Sequence, residues 1–379
     1  MLATGPLWSD HPVTADAALP LLARGAPRRP CEVHDVALLD LDGVLYVGPD
    51  AVPGAAPALE EARAAGMRLG FVTNNAARTP QEVADHLTEL GIGAAAEDVI
   101  TSSQAAATVV AERFGAGAAV LPVGGPGVAA ALQAAGLRVV ERAEDSPVAV
   151  VQGYGRDVGW TQLAEAVVAV RAGATHVATN TDATIPSPRG VLPGNGALVG
   201  VVSTVTGQAP VVTGKPDPAM HAECVRRTGA RTPLVVGDRL DTDIEGGQRV
   251  GAPTLLVFSG VTTPAVLLAA GPQARPDLVA ADVAGVNRVH PAVQPDGDGW
   301  RCGRWTAVAG DDGLRLSQDG AGPDDGPDDG PEDDGFDGLR ALCVAHWAAH
   351  PDDSAAPAVT AGDGAEVASA LSRWGLAES

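Results

Sequence analysis

The run Val36-Ala-Leu-Leu-Asp-Leu41 is apolar at every position but one, the pattern of a strand buried on both faces of a parallel sheet, and it stops at Asp42-Gly43. A helical pattern over Pro57 to Ala65 closes on Gly66, and Arg68-Leu-Gly-Phe-Val72 gives a second strand that ends in Thr73-Asn74-Asn75. Ala118 to Val123, Val148 to Val151, His176 to Thr179 and Leu234 to Val236 also read as strands. The alanine-rich helices between them close on Gly91, Gly136, Gly173 and Gly229. Repeated βα order predicts an α/β fold of doubly wound parallel sheets with right-handed crossovers. Ligands of such sheets bind beyond the carboxyl ends of the strands, so the polar residues just after each strand are the ones to examine.

The flanks differ. Five prolines in residues 1–30 break any periodicity and predict an extended leader over 1–32, with order beginning near Val33. Beyond residue 290, Trp305 to Val308 and Leu314 to Leu316 form a hairpin pattern, and Leu339 to Ala349 and Ala365 to Trp374 read as amphipathic helices, a small α+β appendage over 291–379. Between them the repeat Gly322-Pro-Asp-Asp-Gly-Pro-Asp-Asp-Gly-Pro-Glu-Asp-Asp-Gly335 predicts a solvated, disordered loop near 319–336. Its acids suggest calcium capture only weakly, because nothing fixes the ligand geometry.

Charge sharpens this division. Of 379 residues, 47 are acidic and 25 basic, a net charge of −22, which disfavours nucleic acid and anionic membranes as partners. Residues 291–379 hold 18 acids and 5 bases of that total. Cys31, Cys224, Cys302 and Cys343 are scattered without metal-ligand spacing, which indicates neither disulfides nor zinc and fits a reducing cytoplasm. There is no secretory pattern and no apolar run of the roughly 18 residues that a spanning helix needs, so the expected location is cytoplasmic.

Four strand ends carry unusual polar groups: Asp40 and Asp42, Thr73 to Asn75, Lys215 beside Val211-Val212, and Asp238 to Asp243. They are expected to form one site. Gly43 lets the chain leave strand geometry, so that both Asp40 and Asp42 can face it. A calcium-loop reading of Asp40 to Gly43 fails, since position twelve is Ala51 rather than Glu. A plain acidic turn remains an alternative. Lys215 is the single lysine beside 24 arginines, which suggests a task for a compact ammonium, such as touching a phosphate oxygen and a carboxylate at once, against the alternative of a chance surface lysine. Three carboxylates in Gly237-Asp-Arg-Leu-Asp-Thr-Asp243 are a hard-cation signature suited to magnesium, though not all three can be ligands and one or more can cap the helix expected near Asp243.

This ordered set, Asp40-Leu-Asp42-Gly43-Val44, Thr73-Asn74-Asn75, Lys215 and Gly237-Asp238 with Thr242-Asp243, resembles the four motifs of the haloacid dehalogenase superfamily. Ala178-Thr-Asn-Thr-Asp182 followed by Gly190-Val-Leu-Pro-Gly-Asn-Gly196 resembles the cap of its subfamily IIA, the NagD and 4-nitrophenylphosphatase-like group. The layout is most similar to actinobacterial glycerol 3-phosphate phosphatases with an extra C-terminal domain, a region which there resembles a reduced acetyltransferase-like fold. The resemblance implies a Rossmann-like catalytic core over 33–80 and 213–290 and an inserted α/β cap of the C2 type over 81–212.

It also implies a magnesium-dependent phosphatase for a small phosphomonoester. Asp40 would be the nucleophile forming an aspartyl-phosphate, and Asp42 the acid and base. Thr73 and the amide of Asn74 would hold phosphoryl oxygens, with Gly43 and Asn75 beside the substrate, and Lys215 would neutralise phosphate and nucleophile. Asp40, the backbone carbonyl of Asp42 and Asp238 would bind magnesium, with Asp243 supporting through a water. Asn180, Asp182, Arg189 and Asn195 are cap candidates for reading the leaving group, each of which can equally be a turn residue or a cap-to-core contact. Glycerol 3-phosphate stands first as substrate, ahead of 2-phosphoglycolate, pyridoxal 5′-phosphate and broad 4-nitrophenyl phosphate activity. The rival from another class is a phosphoaspartate signalling protein, against which stand the long insertion and the acid/base at Asp42. The alanine-rich cap helices suit either a homodimer through the cap or packing within one subunit. Gly124-Gly-Pro-Gly127 lacks dinucleotide-loop spacing.

Overall fold

The computed structural model describes residues 19–185, 189–319 and 334–377. Contacts divide the chain into two compact units, residues 1–69 with 231–379, and residues 70–230. The sequence places the cap at 81–212; the second unit is wider because the segments flanking that insertion bond within it. Ser102 Oγ donates to Asn74 O at 2.7 Å, and Thr108 Oγ1 donates to Glu223 at 3.0 Å.

In the first unit four strands pair in parallel, in the order Leu278–Ala280, Thr254–Val257, Pro233–Gly237, Val36–Leu39. Every residue of all four is buried, as expected of near-continuous apolar runs in a parallel sheet, and the one polar side chain among them, Thr254, donates to Asp277 at 3.0 Å. The helix Ala55–Ala64 lies on this sheet's surroundings through Asn287, whose amide donates to Ala58 O at 2.8 Å. The strand Arg68–Thr73 starts in this unit and ends in the other.

The leader expected over 1–32 is only partly extended, with residues 1–18 outside the described residues. Leu22 and Ala23 are buried in the core, Ala26 bridges His290 through two backbone hydrogen bonds, and Pro30–Val33 makes one helical turn. Order therefore reaches back before Val33, because these side chains are apolar and have core to enter.

The C-terminal region forms the small α+β appendage that the sequence predicts. Gln294–Asp296, Gly299–Cys302, Trp305–Gly310 and Gly313–Gln318 form an antiparallel meander, and Val359–Ala361 pairs in parallel with its last strand. The expected hairpin and both expected helices, Asp337–Ala349 and Val367–Arg373, are present. Their apolar side chains, among them Trp305, Leu339, Leu342 and Trp347, share one hydrophobic cluster with Ile244, Leu256, Leu267 and Val279 of the parallel sheet and its helices. Arg340, 2% exposed, ties the seam: it pairs with Asp334 and Asp337 and donates to Val279 O at 2.8 Å. Arg275 donates to Pro351 O and Asp353 O and lies over the Trp347 ring. The loop expected to be disordered lies mostly outside the described residues; at its described ends, Asp319 pairs with Arg301 and Asp334 with Arg340.

The second unit holds a five-stranded parallel sheet in the order Val211–Val212, Thr175–Ala178, Ala149–Gln152, Ala119–Val123, Arg138–Val139. Strand alternation sends Ala149 and Val151 to a cluster with the helices Ser102–Phe114 and Pro126–Ala134, and Val150 to a cluster with Trp160–Arg171 and Asn195–Thr206. Gly91, Gly136, Gly173 and Gly229 follow their helices with φ between +60° and +109°, the left-handed ending that the sequence signals. All four cysteines are free and buried. Among the described residues no helix is long and apolar enough to cross a membrane.

Candidate active site

The Val36–Leu39 strand delivers Asp40, whose amide extends the ladder by donating to Val236 O at 2.9 Å. The chain then turns sharply: Leu45 N donates to Leu41 O at 2.9 Å, Gly43 N to Tyr46 O at 2.8 Å, and Gly43 takes φ +87°. Buried Leu41, Val44 and Leu45 anchor this turn, and Asp42 is exposed.

On the neighbouring strand end, Asp238 is fully buried, and its Oδ2 accepts from Val261 N at 2.7 Å. The wide turn Leu240–Ile244 brings Asp243 back, where its Oδ2 accepts from Arg239 N at 3.2 Å. Oxygen atoms of Asp40, Asp238 and Asp243 lie within 4.8 Å of one another. The third acid of that run, Asp241, is instead spent on a surface pair with Arg239. The helix expected near Asp243 is Glu245–Val250, preceded by this turn. Absence of side chains makes the approach feasible: a methyl at Gly43 or Gly260 would come 2.3 or 2.0 Å from Asp238 Oδ2, and one at Gly237 would come 2.2 Å from Asp243 Cβ.

In the second unit Asn74 is the hub. Its Oδ1 accepts from Lys215 N at 2.9 Å while its Nδ2 donates to Lys215 O at 3.2 Å, so one amide side chain grips the backbone of the lysine in both directions. Its carbonyl accepts from Ser102 Oγ and from Asn180 Nδ2, each at 2.7 Å. Gly214 packs where a methyl would come 2.1 Å from Thr179 O. Thr73 is buried with its Oγ1 accepting from Asn75 N at 3.0 Å, and Asn75 Oδ1 accepts from Ala77 N at 2.9 Å.

Lys215 is only 6% exposed and directs its ammonium toward Val72 O at 3.5 Å. The next helix, Pro218–Thr228, is capped by Asp217, and its buried His221 has its pKa pushed down to about 3, first by burial and then by the Lys215 charge. Burial alone would raise the Glu223 carboxyl, but hydrogen bonds from Arg226, Arg227 and Thr108 outweigh it and hold it below the usual range.

The cap candidates fall in different settings. Asn195 is the first residue of the Asn195–Thr206 helix, not a loop residue; it is 1% exposed, and its amide donates to Asn180 O at 2.8 Å and to Gln152 O. Asn180 and Asn195 thus brace the chain around Asn74. Asp182 is half-buried, next to the short hairpin Thr184–Ile185 with Leu192–Pro193, and Arg189 is exposed in that hairpin's connection.

Sequence reasoning passed over Ser102, Ser103 and the segment Ser259-Gly260-Val261-Thr262. The first two sit in the capping box Thr101 to Gln104, a legible signal. The last follows the Thr254–Val257 strand, and the strand-end rule would have found it had that four-residue run been assigned.

Comparison with known proteins bears on both units. A haloacid dehalogenase-like hydrolase family model matches residues 37–138, a HAD-hydrolase-like model residues 212–286, and a GCN5-related N-acetyltransferase-like model residues 302–376. The chain is 42% identical over 352 residues to D-glycerol 3-phosphate phosphatase of Mycobacterium tuberculosis, covering 91% of this chain and 95% of that one. It is 41% identical over 228 residues to acid sugar phosphatase of Staphylococcus aureus, covering 60% of this chain and 87% of that protein. The crystal structure of the Mycobacterium tuberculosis glycerol phosphate phosphatase in complex with magnesium matches with TM-score 0.82 and 41% identity, over 92% of this chain and 99% of that one. The p-nitrophenyl phosphatase of Archaeoglobus fulgidus matches with TM-score 0.61 and 28% identity, over 66% and 97%.

Proposed function

The chain belongs to the haloacid dehalogenase-like hydrolases and is a phosphatase, and from that premise we propose that it hydrolyses glycerol 3-phosphate, with other small phosphomonoesters as poorer substrates. The observation that carries this choice is the 42% identity extending over 91% of this chain and 95% of a glycerol 3-phosphate phosphatase, whereas the acid sugar phosphatase match covers 60% of this chain.

Three converging carboxylates form an all-oxygen donor set suited to a small hard cation. Asp40, Asp238 and the backbone carbonyl of Asp42 would hold magnesium there, with Asp243 supporting through a water; bound, it would offset the negative charge of the phosphoryl group. The side-chain chemistry then divides in two halves. An Asp40 oxygen attacks phosphorus, the bond from phosphorus to the ester oxygen breaks, and Asp42 gives its proton to the departing alkoxide. Asp42, now a carboxylate, takes a proton from water, whose oxygen attacks the same phosphorus, releasing inorganic phosphate and restoring Asp40. Exposure of Asp42 supports this role, because the group must meet first the alcohol and then water. Thr73 and the amide of Asn74 bind phosphoryl oxygens, and Lys215 balances charge that grows in the transition state. Asn74's two-way hold on the Lys215 backbone supports a fixed ammonium.

The second unit also carries the proposed homodimer contact. The Asn195–Thr206 helix has no charged residue and leaves Val201 and Val205 exposed, in a chain of net charge −22. Light scattering of wild type against Val201→Asp tests it: one mass for both overturns the contact. For the activity, phosphate release is measured over a panel of glycerol 3-phosphate, 2-phosphoglycolate, pyridoxal 5′-phosphate and 4-nitrophenyl phosphate, with and without magnesium. Glycerol 3-phosphate is expected to give the highest kcat/KM; a higher value for another ester would displace it.

A further inference from the structure

The loop that clamps Asp238 stands on the C-terminal region. Ser259 Oγ donates to Gly43 O at 2.7 Å, Val261 N donates to Asp238 Oδ2 at 2.7 Å, and Thr262 N donates to Asp238 O at 3.1 Å. Four consecutive residues therefore hold both the turn that follows Asp42 and the buried carboxylate, while Gly260 leaves room for that carboxylate. The loop's root is Phe258, whose amide donates to Ala280 O at 3.1 Å and whose ring meets Phe336 at a centroid distance of 4.9 Å with a 30° tilt.

Phe336 comes from the C-terminal region and immediately precedes the Asp337–Ala349 helix, which Arg340 fastens to Val279 on the strand beside Thr254–Val257. The turn bearing Asp243 is supported from the same side. Ile244 belongs to, and Leu240 packs against, the apolar cluster formed with Trp305, Leu339 and Leu342. Both segments that shape the carboxylate cluster thus rest on residues 302–376, the part matched by an acetyltransferase-like family model.

We propose that the C-terminal region is a positioning element of the cation site, acting through Phe336 on Phe258 and so on the Ser259–Thr262 loop. The inference rests on the cation reading of Asp40, Asp238 and Asp243 given above. Packed aromatic rings fix the loop's root, the loop's amide fixes Asp238, and Ser259 fixes the neighbouring turn. Outer supports of this kind matter because they hold ligand atoms in the geometry that a small cation demands. Phe258, Ser259 and Phe336 are positioning residues, since none of them offers an atom to the reacting groups.

The test uses the full chain and the variants Phe336→Ala, Phe336→Leu and Ser259→Ala. Magnesium binding is measured calorimetrically without substrate. The magnesium concentration for half-maximal phosphatase activity, kcat at saturating magnesium and substrate KM are measured alongside. Phe336→Ala and Ser259→Ala are each expected to weaken magnesium binding about 10-fold, with kcat at saturating magnesium and substrate KM near wild type, and Phe336→Leu is expected to restore most of the affinity. Wild-type magnesium affinity in both Phe336→Ala and Ser259→Ala overturns the proposal, whatever happens to the melting temperature. If Phe336→Ala does not fold, unaltered affinity in Ser259→Ala overturns it alone. A wild-type chain that neither binds magnesium nor releases phosphate overturns the underlying reading as well, whereas a competent wild type with unaltered variants removes this inference only.

Discussion

Among the described residues, two gatherings of aspartates in the first unit are built to opposite ends. At the seam with the C-terminal region, Asp334 and Asp337 close on Arg340, whose guanidinium is itself the third member. Burial would raise the Asp334 carboxyl, but the Arg340 hydrogen bonds and charge outweigh it and hold it below the usual range. At the strand ends, Asp40, Asp238 and Asp243 are brought together by backbone amides and by glycines that leave space for them. The first arrangement needs nothing from outside and serves the fold. The second sets oxygens of three carboxylates within 4.8 Å of one another, an arrangement that suits a bound cation.

The largest expected contrast comes from removing one aspartate from each cluster's chemistry. Asp40→Asn should keep the fold and lower phosphate release by at least about 10³-fold, as loss of a covalent nucleophile does; turnover near wild type would refute the assignment. At the other cluster, Arg340→Met should cost about 3–5 kcal/mol of stability in urea denaturation, because two carboxylates stay buried without their cation. Adding Asp334→Ala and Asp337→Ala to that variant should recover most of the loss, and a failure to recover would mean that Arg340 acts by packing.

A smaller effect sharpens the strand-end side. Gly43→Ala or Gly260→Ala puts a methyl against Asp238 and should weaken magnesium binding about 10–100-fold, with the melting temperature less affected. The smallest effect is on pH. Unfolded histidines titrate near 6.5, whereas burial lowers His176 to about 4, and burial with Lys215 lowers His221 to about 3. As pH falls from 7 toward 4 the unfolded chain takes up protons that the folded chain refuses, so stability declines across that window. Thermal unfolding at pH 5 should come roughly 5 °C below that at pH 7, and His176→Gln should flatten the slope.

How legible was this in the sequence? Features written locally were readable. The apolar run before Asp40, the glycines that end helices and the lone lysine each carry their message within a few residues. What escaped depends on distant partners. Thr254–Val257 holds only three apolar residues, which periodicity alone cannot tell from buried helix, and with it went the loop that clamps Asp238. The hairpin and helix patterns beyond residue 290 were readable as an α+β appendage, but not that Leu339, Leu342 and Trp347 share a core with Leu256 and Leu267, a pairing that no local pattern records. Asn180 and Asn195 read as cap candidates by residue type, while their amides hold backbone carbonyls around Asn74.

The solitary lysine has a practical consequence. Because every other cation in the 379-residue chain is an arginine or histidine, protein enriched with nitrogen-15 in lysine carries a single side-chain reporter, without the crowd of surface signals that usually hides a buried ammonium. That reporter's charge acts on His221 and its backbone is gripped by Asn74, so one resonance follows the electrostatic state of this half of the molecule.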